Sequence, residues 1–167
     1  QKNMGPAGVT LAIVRKDLCG KATRYLPSML DYSVHIQNGS MYNTPPVYAI
    51  YISMLTLRWV KAQGGLAAMA ERNQKKAHLF YSELDRNPLF KGNVRSAEDR
   101  SLMNATFLPV HAEQEKVFLD LCKQAGIEGI KGHRSVGGFR ASMYNAMEIE
   151  SVQVLVDTMR FFAEKQG

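Results

Sequence analysis

Cysteine is scarce in this chain: Cys19 and Cys122 are the two it has among 167 residues. They form no CxxC pair and no Cys/His cluster at metal-ligand spacing, which excludes a zinc-finger or disulfide-dense scaffold and predicts two reduced, buried thiols. Long hydrophobic runs are missing as well. The longest apolar stretch, PVYAIYISMLTLRWV, is interrupted by Ser53, Thr56 and Arg58 and is too short and too polar to span a bilayer. No signal peptide is in view, so a cytoplasmic protein without membrane association is expected. A basic tract is also lacking, although 21 Lys and Arg against 15 Asp and Glu leave a net charge of +6. That moderate excess suits phosphate or carboxylate ligands, and without aromatics interleaved among the basic residues it does not predict a nucleic-acid partner. There is no internal repeat and no low-complexity segment.

What is present is enough apolar material, 46% of the residues, for a real core. VTLAIV (9–14) is compact, β-branched and almost wholly apolar, the pattern of a strand buried on both faces of a sheet. No sibling strand is expected before residue 101, so the sheet that would receive it is expected upstream of Gln1. Residues 15–45 carry Gly20, Pro27, Gly39 and Pro45 with little periodicity and read mostly as loop. Pro46 can open a helix running to Gln63, with Tyr48, Ile52, Leu55 and Trp59 on one face. Gly64 and Gly65 end it, and a second helix is expected from about Leu66 to about Asp85, with ERNQKKAH as its wet side. The remainder reads strand (SLMNATFLPV), helix (AEQEKVFLDLCKQAG), two short strands (IEGIKG and FRASMY) and a last helix whose Val152, Leu155, Val156, Met159 and Phe162 share a face. The expected class is α/β: residues 1–63 as the end of a larger domain, 64–89 as a connecting helix, and 90–167 as a small C-terminal α/β domain.

Three stretches carry candidate chemistry. Lys2 stands before Gly-Pro-Ala-Gly; a lone terminal lysine is ordinarily a solvated charge, but a Schiff-base lysine must sit in a shielded pocket where its amine can lose a proton, and glycines nearby let the backbone pass close to a cofactor. Asn43 and Thr44, before Pro45-Pro46, offer an amide and a hydroxyl for phosphate oxygens, or merely a polar turn. KGHRSVGGFRASMYNAM gathers Lys131, His133, Arg134 and Arg140 among glycines. The apolar setting of Arg140 predicts a partly buried guanidinium with an anionic partner, against the alternative of a solvated basic loop. His35, His78 and His111 read as structural or surface residues.

QKNMGPAGVTLAIVR, SMYNTPP, WVKAQGG, NQKKAHLFY and KGHRSVGGFRASMYNAM together resemble the C-terminal half of the phosphoserine aminotransferase family, enzymes of serine biosynthesis with the fold-type I architecture. The resemblance covers essentially the whole chain. It implies pyridoxal 5'-phosphate as cofactor, Lys2 as the Schiff-base lysine, and Asn43 and Thr44 as contacts to the cofactor phosphate across a homodimer interface. It further implies that His133 and Arg134 bind the substrate phosphate and that Arg140 binds the α-carboxylate. The implied reaction moves an amino group from glutamate to 3-phosphohydroxypyruvate, giving 2-oxoglutarate and phosphoserine. In some bacteria the family also acts on a precursor of pyridoxal phosphate. The family's upstream half, with the acid and the aromatic that meet the cofactor ring, is not in this sequence, so the 167 residues alone are expected to be inactive. Competing readings are an inactive structural fragment, another related pyridoxal-phosphate enzyme such as a desulfurase, and a non-catalytic anion-binding module.

Overall fold

The structure, a computed structural model, describes residues 1–133 and 137–166. Packing divides it into two units, Gln1–Trp59 and the chain from Val60 onward, the boundary falling inside a helix.

In the first unit, single 3₁₀ turns at Lys16–Leu18 and Ser28–Leu30 precede helix α1, Tyr32–Gln37. The side chain of Asp31 caps α1 by accepting from the backbone N–H of Ser33 at 2.8 Å. Helix α2, Val47–Ala62, follows Pro45-Pro46 as proline chemistry predicts. The expected strand at 9–14 is absent: these residues are irregular, with Leu11 69% and Ile13 93% exposed. A strand needs a neighbour to pair its N–H and C=O groups, and among the described residues none lies beside it. Tyr48 and Leu55 of the anticipated α2 face are exposed, while Ile52 and Trp59 are half-buried. His35 sits in α1, not in a loop, with its Nε2 3.0 Å from the carbonyl of Met29.

The second unit is built on a three-stranded antiparallel sheet. Helix α3, Gly65–Arg86, starts where Gly64 and Gly65 adopt φ of 96° and 76°. Strands β1 (Phe90–Gly92), β2 (Asn104–Pro109) and β3 (Phe139–Ser142) lie in the order β1-β2-β3, with α4 (Gln114–Gln124) before β3 and α5 (Ile149–Gln166) after it. The register opposes Thr106 to Arg140 and Phe107 to Phe139. Period-two alternation sends Ala105 and Phe107 of β2, and Phe139 and Ala141 of β3, into the core. There Phe80, Phe90, Phe107, Phe118, Phe139 and Phe162 meet edge-on or tilted, with Phe90 and Phe118 centroids 4.7 Å apart.

Several expectations need correction here. β1 was not anticipated, because three residues after Asn87-Pro88 give no readable alternation. IEGIKG forms no strand, only a bridge between Lys131 and Phe139. The stretch ERNQKKAH is not uniformly wet, since Asn73, Lys76 and Ala77 are buried. Cys19 is half-buried rather than buried, whereas Cys122 is enclosed and its thiol is pushed up to about 12 by burial. Both are free thiols, as expected. The α/β class and the apolar face of α5 stand as read: Val152, Leu155, Val156, Met159 and Phe162 are all buried.

Candidate functional site

Lys2 occupies a backbone conformation that lysine rarely takes, φ 78°, in a turn closed by its own N–H donating to the carbonyl of Gly5 at 3.0 Å. The turn rests on α2. Gly5, at φ 148°, lies so close that a Cβ there would meet Ser53 Oγ at 2.2 Å and the Ser53 Cα at 2.9 Å. No residue but glycine fits without moving the helix backbone. Ser53 Oγ is buried there without a hydrogen-bond partner. The Lys2 residue itself is exposed. Asn43 and Thr44 are also exposed, in the turn that leads into α2, where Asn43 Nδ2 donates to the Thr44 carbonyl at 3.3 Å.

The remaining candidates belong to the second unit. Between Lys131 and Phe139 the backbone folds on itself: the Gly132 N–H donates to the Gly138 carbonyl at 2.7 Å and the Gly137 N–H to the His133 carbonyl at 2.8 Å. A Cβ on Gly138, which sits at φ 60°, would come within 2.6 Å of the Phe107 carbonyl oxygen. Gly132 and Gly138 therefore serve close approach, whereas Gly137 has open space around it and serves its φ of 73°. His133 is exposed at this crossing; Arg134 lies outside the described residues.

Arg140 departs from expectation. It alternates outward from β3 and is exposed, because its neighbours Phe139 and Ala141 take the core side of the strand. It lines a cavity of about 640 Å³ bounded by the 125–130 turn, β3 and the start of α5, together with Tyr144, Ser151 and the apolar Ile127, Ile130 and Leu155. An arginine on the wall of a largely apolar hollow is a candidate for bidentate capture of a carboxylate.

The reading of the sequence missed a polar cluster beside this cavity. Lys76 of α3 is fully buried and donates from Nζ to the carbonyls of Met143 (3.1 Å) and Tyr144 (2.6 Å). One turn earlier on the same helix, Asn73 donates to Asn145 Oδ1 at 2.8 Å and Arg72 pairs with Glu148 at 2.6 Å. Burial and the charge of Arg72 bring Lys76 down to about 8, against the opposing pull of Glu148. The available signal was the run of six polar residues, Glu71 to Lys76, in which Asn73 and Lys76 fall at i and i+3, the spacing of one face.

Comparison with known proteins places the chain. Residues 1–155 match the class-V aminotransferases, and the chain belongs to that family. Within it, the phosphoserine aminotransferase of Flavobacterium johnsoniae is 59% identical over 165 residues, covering 99% of this chain and 46% of that protein. The solved phosphoserine aminotransferase from Bacillus circulans subsp. alkalophilus superposes with a TM-score of 0.93 at 44% identity, over 99% of this chain and 46% of that one. The PLP-bound phosphoserine aminotransferase from Trichomonas vaginalis superposes with a TM-score of 0.74 at 40% identity, over 81% and 39%. The chain spans about half the length of these relatives. The resemblance read from the sequence motifs is borne out. Among the described residues, no helix is long and apolar enough to cross a membrane.

Proposed function

We propose that this chain carries the reactive lysine and the substrate-carboxylate arginine of a phosphoserine aminotransferase dependent on pyridoxal 5'-phosphate. The reaction transfers the amino group of glutamate to 3-phosphohydroxypyruvate, giving 2-oxoglutarate and phosphoserine. The observation that carries this reading is Lys2, held at φ 78° in a turn packed so tightly on α2 that Gly5 admits no side chain. Backbone strain of that kind at an exposed amine is characteristic of a functional position. The donor set fits the cofactor: a primary amine for its aldehyde, and the amide of Asn43 and hydroxyl of Thr44 for its phosphate.

Bound there, pyridoxal phosphate supplies a conjugated ring that takes up negative charge when the substrate Cα–H bond breaks. The protein's residues do the rest. Lys2 would hold the cofactor through its aldehyde, and its amine would serve as the general base for the substrate Cα proton and as the general acid that delivers that proton to the former aldehyde carbon. Arg140 orients the substrate by its α-carboxylate. His133, with Arg134, donates to the substrate phosphate. A homodimer in which Asn43 and Thr44 serve the partner's cofactor is part of the same reading, as is cytoplasmic location with small-molecule partners and neither nucleic acid nor membrane. We also read residues 1–63 as large-domain chain, 64–89 as connecting helix and 90–167 as the small domain.

Substitution Lys2→Ala in the full-length protein is expected to lower transamination by about 100-fold or more, the share that a positioned acid–base group supplies. Borohydride reduction with pyridoxal phosphate should label Lys2 well above Lys75 and Lys131 in a peptide map. Equal labelling of the three, or turnover unchanged in Lys2→Ala, would overturn the assignment.

A further inference from the structure

We infer that Lys76 is a positioning residue for carboxylate capture: with Arg72 and Asn73 it clamps the turn that leaves β3, and so fixes the strand that presents Arg140. The inference rests on the role proposed above for Arg140.

A buried lysine is a costly way to fill this space. Its ammonium is fully buried and held by two neutral carbonyls; a methionine of similar length would fill the volume and avoid the cost of burying the charge, but would leave both carbonyls without this donor. What the ammonium adds is direction. Successive carbonyls of an extended strand point to opposite sides, so one group can bind those of Met143 and Tyr144 together only where the chain turns out of the sheet. Lys76 thereby sets where β3 ends. Asn73 with Asn145, and Arg72 with Glu148, hold the next residues of the same turn from the same helix.

The turn matters because β3 is an edge strand. On its far side from β2, the Arg140 N–H donates to the Ile130 carbonyl at 2.7 Å. Beyond that bond the strand borders the cavity, and Arg140 and Tyr144 both line it. Tyr144 is also tied through its hydroxyl to Asn104 of β2, at 3.1 Å. Loss of the clamp frees the end of the strand and blurs the direction of the guanidinium. Every substrate of the reaction has an α-carboxylate, so all should suffer alike, whereas damage at a phosphate contact touches phosphorylated substrates only.

The test uses the full-length enzyme loaded with cofactor. Lys76→Met is expected to raise KM for glutamate and for phosphoserine by the same factor, about fivefold for the lost hydrogen bonds, with kcat within about twofold. Glu148→Ala and Asn145→Ala cut the other ties from the more accessible side and should give the same shared rise at about twofold each. They decide the matter if Lys76→Met does not fold by circular dichroism. Unchanged KM in the folded variants, a fall in kcat alone, or a rise confined to phosphoserine overturns the inference. Arg140→Ala separates the two levels. If it raises both KM values while the clamp variants do not, only the role of Lys76 falls; if Arg140→Ala leaves KM untouched, the carboxylate assignment falls and this inference falls with it.

Discussion

From Val60 onward, six phenylalanines from three helices and three strands close around one another, and Phe80, Phe107, Phe118 and Phe139 have no exposed surface at all. Before it, Leu11, Ile13, Leu30, Ile36 and Tyr48 are mostly open to solvent, and Ala49 on α2 is buried. The two units have comparable apolar sequence, so composition does not separate them. The difference is whether the elements needed to cover an apolar face are within the same unit. Two layers, helices on one face of a sheet, suffice in the second unit. The first has helices and turns without a sheet.

The sharpest way to break that contrast is a pair of truncations. Phe107→Ala removes a ring that meets Phe80, Phe90, Phe118 and Phe139 and should cost about 3–5 kcal/mol in the unfolding free energy of the second unit. Ile13→Ala, at a side chain almost wholly in water, should stay within about 0.5 kcal/mol. Urea denaturation of both variants measures this. A large cost at Ile13 would show that its unit is packed against something in solution and would erase the contrast.

What was legible in the sequence follows the same line. α2, α3, α4 and α5 could be read because helical periodicity and glycine or proline boundaries are local signals. The strand at 9–14 was misread because an apolar β-branched run records what a segment would bury, not whether a partner is present to pair with it. Arg140 was expected inside because its neighbours are apolar, yet in a strand the neighbours at i−1 and i+1 face the opposite way. The positive φ at Lys2 was not readable at all, since it belongs to a turn closed by a backbone bond to Gly5, a residue that itself packs on Ser53 of a helix nearly 50 residues later. Lys76 was hidden by its type: lysine is seldom buried, and only the carbonyls of a distant turn, nearly 70 residues later, explain it.

The next effect, smaller than the loss of a core ring, concerns pH. The folded protein releases the Lys76 proton near 8, whereas an unfolded lysine keeps it to about 10.5. Between those values the unfolded state binds more protons, so unfolding free energy rises with pH across the window, by at most about 3 kcal/mol. Below pH 8 both states are protonated and the burial cost is present in full. Thermal melts from pH 7 to 10.5 should show the wild type gaining on Lys76→Met, in which that slope is missing. Parallel slopes would mean that Lys76 is hydrated in solution and that the second unit is less tightly closed than its phenylalanine core implies.

The smallest expected effect lies on the surface of that same unit. Arg100 meets the carboxylate of Asp85 with both terminal nitrogens at 2.7 Å and stacks over Tyr81, 4.9 Å from the ring centre. The pair holds Asp85 below its ordinary carboxylate range. Its contribution is therefore present at neutral pH and lost as acid titrates Asp85 through its lowered pKa. Because Asp85 is half in water, Asp85→Asn should cost about 0.5–1 kcal/mol at low salt, less in 1 M salt, and nothing once the wild-type carboxylate is protonated. Urea midpoints for the two proteins at neutral and acid pH give the comparison. A cost persisting in acid and salt would assign the effect to the fit of the side chain under Arg100 and Tyr81, extending the packed region of the second unit outward to a position that charge alone was expected to hold.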